Sequence, residues 1–334
     1  MVEYTNSPEV VSWDVTSKCN LKCSHCYSSS SIENKDDEDL TEEDAYRLID
    51  ELSDIGVFQL ILLGGEPLIR KDIFNIIDYA VKKNLDVGIA TNGTIITKEI
   101  AKKLSKYNLN GIQVSIDSPQ AHIHDEFRSV KGAFHKSIEG IKTLSSEGNR
   151  VIVCSVISKI NCFEIENIVK IAIDNGAKEF RTIRYIPSGR GLKEFKENAI
   201  NEHEANHVHG ELLRLKEKYE GIIEIASDHS TDFLENEMTQ EFCSAGTSTC
   251  AIKYNGNVTP CSYINNEKYV CGNVKEESFF DIWHRKTMRD FRDVRKYQGK
   301  CKGCNYIQSC KGGCRAAAIG IHEDGYLPDP YCTI

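Results

Sequence analysis

The sequence predicts an α/β fold: six strand–helix units in an incomplete, open barrel or a doubly wound sheet, followed by a cysteine-rich tail. Three observations lead there. Between Glu9 and Arg184, short β-rich runs alternate with amphipathic helical stretches, the pattern of repeated βα units. From Cys243 onward the composition changes to closely spaced cysteines with little apolar material. At 334 residues, with 40% hydrophobic and 27% charged positions, the chain has enough material for a sizeable core.

The first strand is Val10 to Thr16, and Leu40 to Gly56 follows as a helix. Thr41 with Glu43 and Asp44 suits an N-terminal cap, Ala45, Leu48, Ile49 and Leu52 recur at helical spacing, and Gly56 is a stop signal. Further strands are Val57 to Leu63, Asp86 to Thr91, Gly111 to Ile116, Val151 to Ile157 and Glu179 to Arg184. Helical patterns near Ile73 to Lys83, Lys98 to Tyr107, Phe134 to Glu147 and Ile165 to Asn175 separate them. Helical crossovers make the strands parallel. Six units are too few for an eight-stranded barrel, and a ligand belongs on the loops at the carboxyl ends of the strands. Ile186 to Ala199 reads as a connection, Glu202 to Tyr219 as a helix carrying His203, His207 and His209, and Phe279 to Arg292 as the tail's one helix.

Lys plus Arg total 41 against 50 for Asp plus Glu, a net charge of −9. No overall positive field exists to hold a polyphosphate, so nucleic acid is not expected as a partner. Nothing approaches a membrane span or a signal sequence, and the expected location is cytoplasmic. In that reducing compartment 14 cysteines have no stable use as disulfides, which points to metal ligation.

Cys19, Cys23 and Cys26 form C-x3-C-x2-C directly after the first strand. Three thiolates leave one iron of a 4Fe-4S cluster open to a substrate or cofactor, whereas structural zinc prefers four ligands, and His25 is the only other candidate nearby. CNLKCSHCY resembles the signature of the radical S-adenosylmethionine (SAM) superfamily. The resemblance implies that His25 contacts adenine and that Tyr27 belongs to the same site. It also implies that Gly64, Gly65, Glu66 and Pro67 (GGEP) bind the methionine amino group. Asn92 in TNG and Ser115 and Asp117 in SID would hold ribose or carboxylate groups, and Arg128 would pair with the methionine carboxylate. The implied chemistry is reductive cleavage of SAM to a 5′-deoxyadenosyl radical, which abstracts hydrogen from an unactivated carbon.

The tail reads Cys243-x6-Cys250-x10-Cys261, then Cys301-x2-Cys304-x5-Cys310-x3-Cys314, then Cys332. It resembles the SPASM domain, with Gly256 five residues before Cys261. The resemblance implies two auxiliary 4Fe-4S clusters, one on Cys243, Cys250, Cys261 and Cys314 and one on Cys301, Cys304, Cys310 and Cys332, three clusters in all; from spacing alone, zinc in either set stays open. Cys154, Cys162 and Cys271 receive no role, Cys154 being most simply a small buried hydrophobe. The family implies a partial (β/α)6 radical SAM barrel in residues 1–190, a connecting helical segment in 191–235 and a SPASM domain in 236–334.

SPASM enzymes mostly modify ribosomally made peptides, which makes a peptide the leading expected substrate, with thioether or carbon crosslinking or epimerisation as the reaction. Ser262, where sulfatase-maturing members have Asp, points away from that activity. The first strand begins early, so a separate leader-recognition protein, or none, is expected. The alternative is tetrapyrrole side-chain chemistry in a heme or heme d1 pathway, because Arg184 to Gly191 is similar to a segment of those enzymes and Arg184 and Arg190 would meet carboxylates. A solvated linker is an equally simple reading of that stretch. A non-catalytic iron–sulfur carrier would not need GGEP, SID or Arg128. Reduced flavodoxin or ferredoxin is the expected electron donor.

Overall fold

The computed structural model describes residues 6–34, 38–227 and 243–332. Seven parallel strands among them lie side by side in chain order: β1 (Val10–Asp14), β2 (Gln59–Leu63), β3 (Asp86–Thr91), β4 (Gly111–Ser115), β5 (Val151–Ile157), β6 (Glu179–Arg184) and β7 (Glu224–Ser227). The crossovers carry α1 (Glu42–Asp54), α2 (Ile73–Lys82), α3 (Lys98–Leu104), α4 (Ala121–Arg128) with α5 (Ala133–Ser146), α6 (Ile165–Asp174), and α7 (Phe195–Asn198) with α8 (Glu202–Lys218). Local chemistry accounts for most of this. Thr41 and Asp44 close a capping box at the start of α1, and its expected apolar stripe is buried.

Three barrel elements escape the sequence reading, the first being the short α7 inside the stretch read as a connection. Helix α4 has a polar sequence, AHIHDEFR, that buries only His124, Phe127 and Arg128. Strand β7 is a four-residue edge strand registered on β6 from Glu179↔Glu224 to Thr182↔Ser227, too short to show a period.

The tail does not form a separate body. Strand β8 (Thr249–Ile252) pairs parallel with the free edge of β1, from Val10↔Thr249 to Trp13↔Ile252. Strands β9 (Asn257–Thr259) and β10 (Gly272–Asn273) then extend the sheet antiparallel to ten strands. The expected helix over 279–292 is two, α9 (Phe279–His284) and α10 (Lys286–Arg292), because Arg285 between them is extended at φ −66° and ψ 153°. Phe279, Ile282, Trp283 and Met288 pack into the same core as the barrel strands. The tail therefore shares the barrel's core and needs none of its own. Its last part, with α11 (Ile307–Cys310) and α12 (Arg315–His322), rests on a small second cluster that includes Ile264, Tyr269, Phe291 and Ala317.

Helix α8 buries Val208, Leu212 and Leu215 in the main core, so it is a barrel element rather than a tether. The expected boundary at 235/236 lies outside the described residues. Among the described residues no helix is long and apolar enough to cross a membrane.

Candidate active site

Burial alternates along the inner strands. In β4, Ile112 and Val114 are buried while Gln113 and Ser115 are not, and β2 alternates the same way. The inward set, including Ser12, Ile61, Gln113 and Arg181 with the buried Cys154, lines a cavity of about 310 Å³ together with the loops at the strands' carboxyl ends. A closed barrel fills that space with side chains; this open one leaves it for a ligand. Cys154 is a wall residue as well as a buried one.

Cys19, Cys23 and Cys26 follow β1 and share a small nest with Leu21, Val130 and Ala133, all three on the cavity wall. Burial pushes the Cys19 thiol up to about 12 and raises that of Cys23 as well, so both are protonated at neutral pH and metal loading must displace protons. Donors already approach the sulfurs: Leu21 N–H lies 3.4 Å from Cys19 Sγ, Asn92 Nδ2 3.9 Å from Cys19 Sγ, and Arg128 Nη1 3.9 Å from Cys23 Sγ. These residues fit an iron–sulfur cluster, whose charge such donors offset.

His25 stacks on Phe127 with ring centroids 3.8 Å apart and planes 11° apart. Burial, then the charge of Arg128, lowers its pKa to about 3, so the imidazole is neutral. Its Nδ1 is buried without a hydrogen-bond partner among the described residues, an open valence on the cavity wall that suits a bound cofactor. The Tyr27 hydroxyl donates to Asp14 Oδ1 at 2.8 Å, and Lys253 Nζ lies 3.5 Å from the other carboxylate oxygen.

The GGEP turn meets its own chain first. A Cβ on Gly64 would stand 2.6 Å from Thr16 O, and one on Gly65 1.9 Å from Lys18 O. The N–H groups of Gly65 and Glu66 donate to those two carbonyls at 2.8 Å each. The glycines thus lock the turn to the root of the cysteine loop while their backbone also lines the cavity. Gly65→Ala is expected to cost more than about 2 kcal/mol through backbone displacement. A lower urea midpoint together with reduced iron uptake checks this; an unchanged midpoint would refute it.

Glu66 and Pro67 do not reach the cavity wall. Glu66 is fully buried behind it, accepting from Leu68 N–H (3.2 Å), the Thr91 hydroxyl (2.7 Å) and Asn92 N–H (2.8 Å). It ties the end of β2 to that of β3. Burial outweighs these bonds and raises its pKa from 4.5 to about 6. A carboxyl raised on folding contributes stability below its unfolded pKa and loses it as pH rises through the folded one. Wild type should therefore lose about 2 kcal/mol relative to Glu66→Gln between about pH 4.5 and pH 7. Urea melts of both proteins across that range test it, and a pH-independent difference would show that the carboxyl titrates normally.

Asn92, Ser115 and Arg128 reach the cavity, but Asp117 does not. Asp117 is buried behind Arg128, accepting from its Nε at 2.6 Å and from Val156 N–H at 3.1 Å. Burial works against its charge, yet Arg128 prevails and its pKa falls. Asn92 also donates to Asn20 Oδ1 at 2.9 Å.

In the tail, Cys301, Cys304, Cys310 and Cys332 line one cavity of about 320 Å³. Cys243, Cys261 and Cys314 lie near one another: burial raises the thiol pKa of Cys261 and Cys314, and the charge of Cys243 adds to the shift of both. Cys250 is not with them. It faces the main core from β8, and its titrating neighbours are Cys271 and Arg292. Strand alternation places Cys250 and Ile252 on the core side, whereas Cys261 packs against the second cluster.

Both arginines expected to meet a substrate carboxylate line the cavity, and each is also held by its own chain. Both oxygens of Asp329 accept from Arg184 Nη2 at 2.8 Å, and its guanidinium lies 4.3 Å from the Tyr331 ring centroid. Arg190 is spent on backbone carbonyls of the cysteine loop. The stretch is a packed strap rather than a solvated linker. Sequence reasoning also missed Gln113 and Arg181 on the inner face and the Phe127 stack; position in an alternating strand, and proximity to Arg128, were the available signals. His207, left without a role, packs against Phe163.

Residues 13–174 match the family model of the Radical SAM superfamily, and residues 243–305 that of the SPASM iron–sulfur cluster-binding domain. The chain is similar to AdoMet-dependent heme synthase of Methanosarcina barkeri, 33% identical over 99% of this chain and 98% of the relative. It is also similar to mycofactocin maturase MftC of Mycolicibacterium smegmatis, 29% identical over 98% of this chain and 83% of that one. In fold it resembles Streptococcus suis SuiB bound to S-adenosylmethionine, with a TM-score of 0.81 at 20% identity, covering 98% and 78% of the two chains.

Proposed function

The chain belongs to the radical SAM superfamily and carries the SPASM iron–sulfur domain, and on that premise we propose a tetrapyrrole as the substrate from which it abstracts hydrogen. Cys19, Cys23 and Cys26 hold the SAM-binding 4Fe-4S cluster, which when loaded supplies the electron that splits the sulfonium. His25, backed by its stack on Phe127, would face the adenine, and Asn92, Ser115 and Arg128 would hold the rest of the cofactor. Glu66, Pro67 and Asp117 act from behind, Glu66 by fixing Asn92 and Asp117 by fixing Arg128. The tail carries an auxiliary cluster on Cys301, Cys304, Cys310 and Cys332 and a three-thiolate one on Cys243, Cys261 and Cys314, three clusters in all. Reduced flavodoxin or ferredoxin is the donor.

The observation that carries the substrate class is the end-to-end alignment with relatives named AdoMet-dependent heme synthase, from Methanosarcina barkeri and Nitratidesulfovibrio vulgaris, at 33% and 32% identity. Arg181 also lines the inner wall, where its guanidinium pairs with Glu179 Oε1 at 2.6 Å. A peptide substrate is the second reading, favoured by the alignment with relatives named mycofactocin maturase. Anaerobically reconstituted enzyme with SAM and dithionite separates the two when offered an iron coproporphyrin or a candidate precursor peptide. The tetrapyrrole should change mass as 5′-deoxyadenosine accumulates. A mass change in the peptide, with the tetrapyrrole intact, would overturn the first reading in favour of the second.

A further inference from the structure

Residues 188–191 run along the cysteine loop, touching two cluster-ligand residues and their neighbours, with Arg190 also lining the cavity. Arg190 donates from Nε to the Cys23 carbonyl at 2.8 Å and from Nη2 to the Ser30 carbonyl at 2.9 Å, while its backbone N–H donates to the Cys26 carbonyl at 2.9 Å. The flanking glycines permit this approach. A Cβ on Gly189 would stand 2.2 Å from Tyr27 O, and one on Gly191 2.9 Å from His25 O. Asn265, from the tail, donates both to the Tyr27 carbonyl and to Ser188 Oγ. Among the described residues, the hydrogen-bond partners of the Arg190 side chain are carbonyl oxygens.

We propose that Arg190 is a positioning residue for the SAM-binding cluster, its side chain fixing the backbone of the ligand residue Cys23 against Ser30 and raising the cluster's reduction potential. The inference rests on the reading that Cys19, Cys23 and Cys26 hold that cluster. A guanidinium is permanently charged and forked, so it can hold two carbonyls in fixed relation. Reduction adds negative charge to the cluster, which a cation close behind its ligands stabilises. The Cys26 contact comes from the backbone, so a side-chain substitution leaves it intact.

The test uses the full chain as wild type, Arg190→Gln and Arg190→Lys, reconstituted anaerobically. Iron content is measured alongside a redox titration followed by the SAM-sensitive paramagnetic signal. Arg190→Gln should load its iron yet show an about tenfold smaller reduced-to-oxidised ratio at a fixed poise, about 59 mV for a one-electron couple. Arg190→Lys, which keeps the charge, should stay within about threefold of wild type. A titration of Arg190→Gln that overlays wild type overturns the proposal. If Arg190→Gln fails to load iron, hydrogen exchange of the metal-free proteins decides. Faster exchange over 23–31 in Arg190→Gln, restored by Arg190→Lys, supports positioning, and exchange equal to wild type overturns it. A wild type with no SAM-sensitive signal would remove the cluster reading itself, a failure distinct from any difference between variants.

Discussion

Cys23→Ala is expected to abolish reductive cleavage of S-adenosylmethionine while leaving the tail's iron in place. Cys23, like Cys19, is only 8% exposed, with Arg128 donating toward its sulfur and Arg190 holding its carbonyl. Removing it leaves two thiolates for a cluster that needs three, and strands the Arg128 guanidinium without its sulfur partner. The four cysteines around the tail cavity lie in a separate place, so iron per chain should fall by one cluster rather than to zero. Iron analysis and 5′-deoxyadenosine production check this together, and wild-type cleavage by Cys23→Ala would sink the assignment. Cys250→Ala is the matched control. Because Cys250 lies in the core beside Cys271, that variant should keep wild-type iron, whereas Cys261→Ala should lose the tail's three-thiolate cluster.

Trp283→Ala should destabilise the whole molecule by about 3–5 kcal/mol, the usual range for emptying a large aromatic site in a packed core. Trp283 has no exposed surface and belongs to the same cluster as β1 and β2 residues. The Arg292 guanidinium covers its ring at 3.9 Å and donates to its carbonyl at 3.0 Å, so the substitution also removes a cation–π contact. The informative outcome is which transition moves. If the tail were held by metal alone, barrel unfolding would be untouched; with β8 on the edge of β1, both should shift together in urea. Iron chelation should correspondingly loosen residues near 297–332, where the four-cysteine cavity lies, while β8 to β10 keep their protection.

The barrel strands and most of its helices were legible in the sequence because their burial follows local periods. Alternation in β2 and β4 and the apolar stripe of α1 each report one element's own two faces. The cysteine loop was legible too, since its ligands lie within eight consecutive residues after a single strand. Helix α4 was hidden by its polar sequence and β7 by its shortness.

The remaining features are long-range, and no local pattern carries them. That Cys250 faces the core, that Glu66 ties β2 to β3, that Arg184 is held by Asp329 and that Arg190 grips the cysteine loop depend on segments about 20 to 170 residues apart in the chain. The sequence by itself determined the βα order, the place of the cysteine loop and the radical SAM chemistry it announces. The tertiary structure decided which edge the tail joins and which side chains face the cavity rather than their own chain. Alternation sets the two faces of a strand, but only the neighbour that covers each face determines whether a side chain there is core, clamp or ligand.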